Sequence, residues 1–222
     1  MTAIRGVLCD IDGTLIDSND ALAQAYARAF AESGKDIPAS QVKPLIGKGG
    51  DKLIPELGGF QEDSDAFKTV SRRRKEIYLQ EYVPQLRATP GAKAFLERLK
   101  AQNIQIVAAT SGAEDAEASL KHVGLDGYFD QKATSKDAAR SKPDPDIIEA
   151  ALKKAGLRAE EAVMIGDTPY DIEAAGKAHV AAIALLTGGW KREDLAQAAA
   201  VYASPQDLLV HFEQSLLHSP TN

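Results

Sequence analysis

The chain has no excess of basic residues, almost no cysteine, and no apolar run long enough to cross a membrane. Its 222 residues carry 26 Lys and Arg against 32 Asp and Glu, a formal net charge of -6. Non-specific nucleic-acid binding needs a basic footprint, so that class of partner is excluded. A single cysteine, Cys9, cannot close an internal disulfide, which fits a reducing compartment. Cys9 stands inside an apolar run, where a small core residue is the expected role. No signal-like apolar segment opens the chain. The expectation is a cytoplasmic protein, monomer or homodimer, with no nucleic-acid or membrane partner. What remains is ordinary for a globular chain: 44% hydrophobic and 26% charged residues. The length suits one large domain, or a core domain with an insertion.

The stretch from Gly6 to Leu15 organises the rest. Gly6-Val7-Leu8-Cys9 reads as a buried parallel strand. It ends abruptly in Asp10, Ile11, Asp12 and Gly13. In extended backbone, residues i and i+2 point to the same side, so Asp10 and Asp12 can share the open edge of a sheet. Open α/β sheets place their ligands at that edge. Two acids so close repel unless a cation or a shared proton intervenes.

From residue 16 to 86 the pattern is helical, with no strand signal. Apolar and small residues at Leu22, Ala25, Tyr26, Ala29 and Phe30 predict a helix over 20–33, with Ser18 or Asn19 as its cap and Gly34 as its stop. A short helix begins near Ser40, and another runs over 52–57. Between them, Gly47-Lys48-Gly49-Gly50 reads as a flexible loop, because three glycines release the backbone. A longer helix over 63–82 carries Ser71-Arg72-Arg73-Arg74-Lys75, a basic run most simply read as a solvated face. A block of this size is too long for an ordinary crossover. The division expected is therefore a core of residues 1–15 and 87–222 with a helical cap of residues 16–86.

Strands and helices alternate after Thr89-Pro90-Gly91. Strands are predicted over 104–109, weakly over 131–134, over 162–165 and 180–185, and at the edge over 200–202. Helices are predicted over 92–102, 114–123, 145–155, up to Lys177, and from Ser204-Pro205 to about Leu217, with 219–222 frayed. The fold class is α/β: a Rossmann-like parallel-sheet core with an inserted all-helical cap.

Successive strands end in polar residues: Asp10 and Asp12, then Thr110 and Ser111, then Gly166, Asp167 and Asp171. Lys142 lies in the rigid turn Ser141-Lys142-Pro143-Asp144-Pro145. Taken alone, Thr110-Ser111 caps a helix, Lys142 is a turn residue, and Asp167 with Asp171 is an acid pair at a helix N-terminus. Parallel strands bring all of them to one crevice. Carboxylates without His or Cys partners favour Mg²⁺. A lysine and a hydroxyl beside them suit a phosphoryl group.

In this reading Asp10 is the nucleophile on phosphorus and Asp12 the acid and base. Mg²⁺ is held by Asp10, Asp167 and the Asp12 backbone carbonyl, with Asp171 orienting the metal or its waters. Thr110, Ser111 and Gly112 bind phosphoryl oxygens, and Lys142 neutralises charge. A phospho-switch of the receiver type also sets an acid cluster, a hydroxyl and a lysine on a parallel sheet, but needs neither Asp12 nor an insertion.

Asp-Ile-Asp-Gly-Thr-Leu, the Thr-Ser pair, Ser-Lys-Pro-Asp-Pro and Gly-Asp-Thr-Pro-Tyr-Asp resemble, in order and spacing, the four motifs of the haloacid dehalogenase-like hydrolases. The helical insert resembles the cap of the subfamily containing phosphoglycolate phosphatase and β-phosphoglucomutase. The resemblance implies a mobile cap over a Rossmann-like core, a small phosphate ester as substrate, and Gly47 and Lys48 in the cap loop that reads it. That substrate is 2-phosphoglycolate or a sugar phosphate, with a phosphomutase as the alternative. Members that cleave carbon–halogen bonds lack the acid at Asp12, which argues against dehalogenation.

Overall fold

The computed structural model describes residues 3–112 and 114–218. Among them, six parallel strands form one sheet in the order β3-β2-β1-β4-β5-β6. These are β1 (Gly6–Cys9), β2 (Gln105–Ala109), β3 (Gln131–Ala133), β4 (Ala162–Gly166), β5 (Ala181–Leu185) and β6 (Ala200–Tyr202). β1 is central, with Gly6 beside Gln105 of β2 on one side and Ala162 of β4 on the other. The strand order reverses there, so the ends of β1 and β4 flank the crevice where such sheets take ligands.

The short strands are apolar throughout because both faces are covered. Val7 and Cys9 pack on one face with Phe95, Leu96 and Leu208; Leu8 packs on the other with Ile147, Ile148 and Met164. Cys9 is fully buried, and burial followed by the neighbouring Asp10 charge pushes its thiol far above the ordinary range. It is an inert core residue, as its position in the strand suggested.

Between β1 and β2 the chain forms α1 (Asn19–Glu32), α2 (Ala39–Val42), α3 (Gly50–Gly58) and α4 (Asp65–Ile77), then α5 (Ala92–Ala101) on the sheet. Nothing from α1 to Gln85 joins the sheet. The chain enters and leaves this helical region side by side. Ile16 bridges Ala88 in antiparallel fashion, the Asp17 amide donates to the Arg87 carbonyl, and the Thr89 amide donates to the Leu15 carbonyl. The remaining helices are α6 (Glu114–Val123), α7 (Asp146–Ala155), α8 (Pro169–Lys177) and α9 (Pro205–Val210). No helix among the described residues is long and apolar enough to cross a membrane.

Three local expectations differ. The helix expected over 63–82 is α-helical only to Ile77; Tyr78–Tyr82 form a wider π turn, which aims Tyr78 inward. The helix expected to reach Leu217 stops at Val210. Ser215 Oγ then donates to the Phe212 carbonyl and accepts from the Leu217 amide, a local alternative to helix. The glycines of the 47–50 loop do different work from simple loosening. Only Gly47 uses positive φ (+105°), whereas a Cβ on Gly49 would lie 1.9 Å from Ser141 Oγ. The frayed end expected at 219–222 lies outside the described residues.

Leu8 is wholly buried on the central strand. Leu8→Ala is expected to lower unfolding stability by about 2–5 kcal/mol, read as a lower urea midpoint at unchanged slope.

Candidate active site

Four segments meet at the carboxyl edge of the sheet. β1 ends in Asp10, with Asp12 and Gly13 turning away. Gly13 has φ +79°, and a Cβ on it would come within 2.3 Å of both Asp167 Oδ2 and Asn19 Nδ2, so only glycine fits. β4 ends at Gly166 and delivers Asp167, and α8 starts at once with Pro169 at its first position. Thr168 Oγ1 accepts from the Asp171 amide, and the Asp171 carboxylate accepts from the Thr168 amide at 3.1 Å. This reciprocal cap folds Asp171 back toward the strand ends.

Lys142 comes from the loop between β3 and α7. Its ammonium is completely buried, 2.5 Å from Asp10 Oδ1 and 2.7 Å from Asp171 Oδ1. Asp10, Asp167 and Asp171 each offer a carboxylate oxygen within 4.8 Å of the others. Thr14 Oγ1 donates to Asp167 Oδ1 at 2.7 Å, and Asn19 Nδ2 donates to Asp167 Oδ2 at 3.0 Å. Ser18, expected as a helix cap, makes no capping bond. Its hydroxyl instead donates to Asp12 Oδ1 at 2.6 Å.

Three carboxylates around one buried ammonium leave negative charge unmatched. Burial pushes Asp10 up to about 7, against the lowering pull of Lys142 and with the help of Asp171 and Asp12. Burial also raises Asp12, partly offset by the Ser18 hydrogen bond. Asp167 is raised well above the carboxylate range, first by burial and then by Asp10 and Asp171. Burial alone would depress the Lys142 ammonium, but Asp10 and Asp171 outweigh it and the net shift is upward. A divalent cation would supply the missing charge. The donors are all oxygen, with no His or Cys among them, which fits Mg²⁺. Asp12 stands apart from this side-chain cluster.

Above the acids lies a cavity of about 70 Å³ lined by Asp10, Asp12, Thr110, Ser111 and Gly112 on the sheet side. Gly47, Lys48, Tyr26 and Arg74 line the helical side. Thr110 Oγ1 accepts from the Gly112 amide at 3.1 Å. Ser111 Oγ is buried with no hydrogen-bond partner among the described residues, so a polar group suits the space beside it. Lys48 Nζ pairs with Glu56 at 2.6 Å and lies 5.1 Å over the Tyr170 ring. The candidate site residues read from the sequence therefore lie in the cavity wall or beside Asp10, with Lys142, Asp167 and Asp171 next to Asp10 rather than in the wall.

Other residues carry no comparable sequence signal. Of the three adjacent arginines, Arg72 and Arg73 pair outward with Glu76 and Glu32. Arg74 turns inward, pairs with Asp115 and lies 5.0 Å over the Tyr26 ring. Helix phase decides this, and the basic run conceals it. Tyr78 reaches Ser119 Oγ at 3.1 Å and Asp12 Oδ1 at 3.5 Å. Thr14 was findable, since it sits in the Asp10–Leu15 stretch. Asn19 reads as an ordinary capping residue until Asp167, far away in the chain, is placed against it.

A doubly wound sheet with acids at its switch point and a helical insertion after the first strand defines a class of α/β enzymes. The sequence model described as haloacid dehalogenase-like hydrolase matches residues 7–185, and the chain belongs to that family. A phosphoglycolate phosphatase of Rhodospirillum rubrum is 31% identical over 206 residues, covering 89% of this chain and 85% of the relative. The crystal structure of a hydrolase from Pseudomonas syringae superposes with a TM-score of 0.88 at 31% identity, covering 94% of this chain and 98% of that one. A β-phosphoglucomutase from Clostridium difficile, 21% identical, shares the fold with a TM-score of 0.83 over 96% of this chain and 97% of its own.

The folded value of Asp10, about 7, lies above that of an unfolded carboxylate. In the metal-free chain the native state therefore holds a proton that the unfolded state has released. That stability is complete below about pH 4 and is lost as pH rises through 7. Mg²⁺ must displace the same proton. Its stabilisation, read as a melting-temperature shift, is expected to be larger at about pH 7.5 than at about pH 5.5. Equal shifts at the two values would contradict the assignment.

Proposed function

We propose that the chain is a Mg²⁺-dependent phosphatase of small phosphomonoesters that works through a phosphorylated Asp10. The observation that carries this reading is Asp10 at the cavity floor, 2.5 Å from a buried Lys142, with Asp12 beside it. The Asp10 carboxylate attacks phosphorus, and the ester P–O bond breaks. Asp12 gives its proton to the departing oxygen; its raised pKa favours the protonated form that this step needs. A water then attacks the phosphorus, Asp12 takes its proton, and phosphate leaves with Asp10 restored.

Thr110, Ser111 and Gly112 hold the phosphoryl oxygens. Lys142 offsets the charge that gathers on Asp10 and the phosphoryl group. Asp10 and Asp167 would hold the metal together with the Asp12 carbonyl, while Thr14 and Asn19 orient Asp167. The metal, when bound, shields the attacking carboxylate from the anionic phosphate. Asp171 acts chiefly through Lys142 and the start of α8, since one carboxylate oxygen meets the ammonium and the other the Thr168 cap.

Residues 16–86 act as a cap over a core of residues 1–15 and 87–222. Lys48 and Arg74 carry positive charge at the cap end of the cavity. A substrate with a second anion or several hydroxyls, such as 2-phosphoglycolate or a sugar phosphate, suits them. The small cavity beneath the cap does not suit a polymer. A single buried cysteine agrees with a cytoplasmic setting.

The test is phosphate release from a panel of phosphomonoesters, p-nitrophenyl phosphate included, with Mg²⁺ and with a chelator. Release is expected only with Mg²⁺ and to vanish in Asp10→Asn. Asp12→Asn is expected to lower the rate roughly 10²- to 10⁴-fold. Turnover that needs a bisphosphate primer would mark a phosphomutase instead. No release from any ester by folded, Mg²⁺-loaded protein would sink the phosphatase reading.

A further inference from the structure

The position of Lys142 is set by a loop, residues 134–145, with no helix or strand of its own. Such a segment loses much freedom when ordered and needs anchors. The anchors at Ser141, next to Lys142, come from the helical region. The Ser141 hydroxyl donates to Asp51 Oδ1 at 2.5 Å and its amide donates to Asp51 Oδ2 at 3.3 Å. The Ser141 carbonyl accepts from Lys52 Nζ at 2.7 Å, and the same ammonium lies 2.5 Å from Asp144 Oδ2. Amide, carbonyl and hydroxyl of Ser141 are thus all held by two adjacent residues in the first turn of α3. Among the described residues, the only other bond at this residue is local, from the Asp144 amide to the Ser141 carbonyl.

These contacts are close and largely sheltered. Ser141 is 6% exposed, and the Lys52 and Asp144 side chains are 26% and 22% exposed. Charge-assisted bonds in such surroundings outweigh an ordinary surface pair. Gly49 makes the approach possible, because its missing Cβ leaves room for Ser141 Oγ. Asp51 and Lys52 also continue directly from the Gly47–Gly50 loop, which lines the cavity. One short segment therefore touches the substrate space at one end and the Lys142 turn at the other.

We infer that Asp51 and Lys52 are positioning residues: they hold Lys142 against Asp10 through Ser141 only while the helical region is docked, coupling its closure to the chemistry. The inference rests on the phosphatase reading for its kinetic consequence, but not for its structural one. Substrate that seats the 47–50 loop also seats the lysine, whereas an open cap leaves the Ser141 side of the turn without these anchors and only the Pro143 side held, by Lys177.

The experiment uses the full chain as Asp51→Ala, Lys52→Met and Lys52→Arg, with p-nitrophenyl phosphate and Mg²⁺. Asp51→Ala and Lys52→Met are expected to lower kcat roughly 10- to 100-fold, the scale of a small misplacement of a reacting group. KM is expected to stay within about threefold. Lys52→Arg should keep most of the activity. In a Lys142→Ala background, Asp51→Ala should cost little more, since both act on one group. A second readout is labelling of lysine amines by an acylating reagent, followed by mass spectrometry. Lys142 should stay unlabelled in the wild type and label in Asp51→Ala and Lys52→Met. Lys52→Met keeps the side-chain stem and reports on the same clamp if Asp51→Ala fails to fold. Unchanged kcat, a rise in KM alone, full additivity with Lys142→Ala, or Lys142 still unlabelled in both variants would each overturn the inference. If the wild type releases no phosphate, the labelling alone decides the clamp, and the failure belongs to the phosphatase reading.

Discussion

A fully buried ammonium is the constraint on which the rest of the structure depends. Lys142 has no contact with solvent, and a lone charge there would cost several kcal/mol. It is tolerable only because Asp10 and Asp171 stand at 2.5 and 2.7 Å. Three separate pieces of chain must therefore end at one point. β1 stops so that Asp10 follows it. α8 begins with a reciprocal cap that turns Asp171 inward. The loop after β3 delivers the lysine. The parallel sheet makes this possible, because β1 and β4 are neighbours in register and their ends lie together.

The charge does not balance there. Asp167 meets only neutral donors, Thr14 and Asn19, and its carboxylate is forced upward by burial and by the other acids. A core that gathers acids and supplies one ammonium is stable only with protons or a divalent cation in place. Proton uptake and cation binding therefore compete for the same oxygens. The helical side of the cavity carries Lys48 and Arg74, each paired with a carboxylate, Glu56 and Asp115. The acid cluster and these cations sit on different parts of the chain. They are joined through the paired crossings at Ile16 and Ala88 and through contacts around α3.

Much of this was legible before any coordinates. The strands at 6–9, 105–109 and 162–166 were readable as short apolar runs ending in polar residues. Ser204-Pro205 announced a helix start by local capping chemistry alone. The misreadings share a cause. Ser18 has the right residue type for a cap, yet its hydroxyl serves Asp12. The last helix has sufficient helical pattern, yet Ser215 offers the backbone a competing bond. Gly49 looks like a hinge, yet it is small because Ser141 presses against it. In each case a competing contact outweighed the simplest reading of the residue type, within a few residues for Ser18 and Ser215 and across the fold for Gly49.

The sequence by itself determined the order of the elements, the helical character of residues 16–86, and the candidate site residues that gather at the carboxyl edge of the sheet. Periodicity, turn chemistry and acids at strand ends are local signals, complete within a few residues. Only the tertiary structure decided which of three adjacent arginines faces the cavity. It alone set Asn19 against Asp167, 148 residues away, and brought Lys142 to Asp10 across 132 residues. It alone revealed that Asp51 and Lys52 grip the turn bearing that lysine. These pairings depend on helix phase, on sheet order and on a loop's path over its neighbours, and none of these is written in any short stretch of chain.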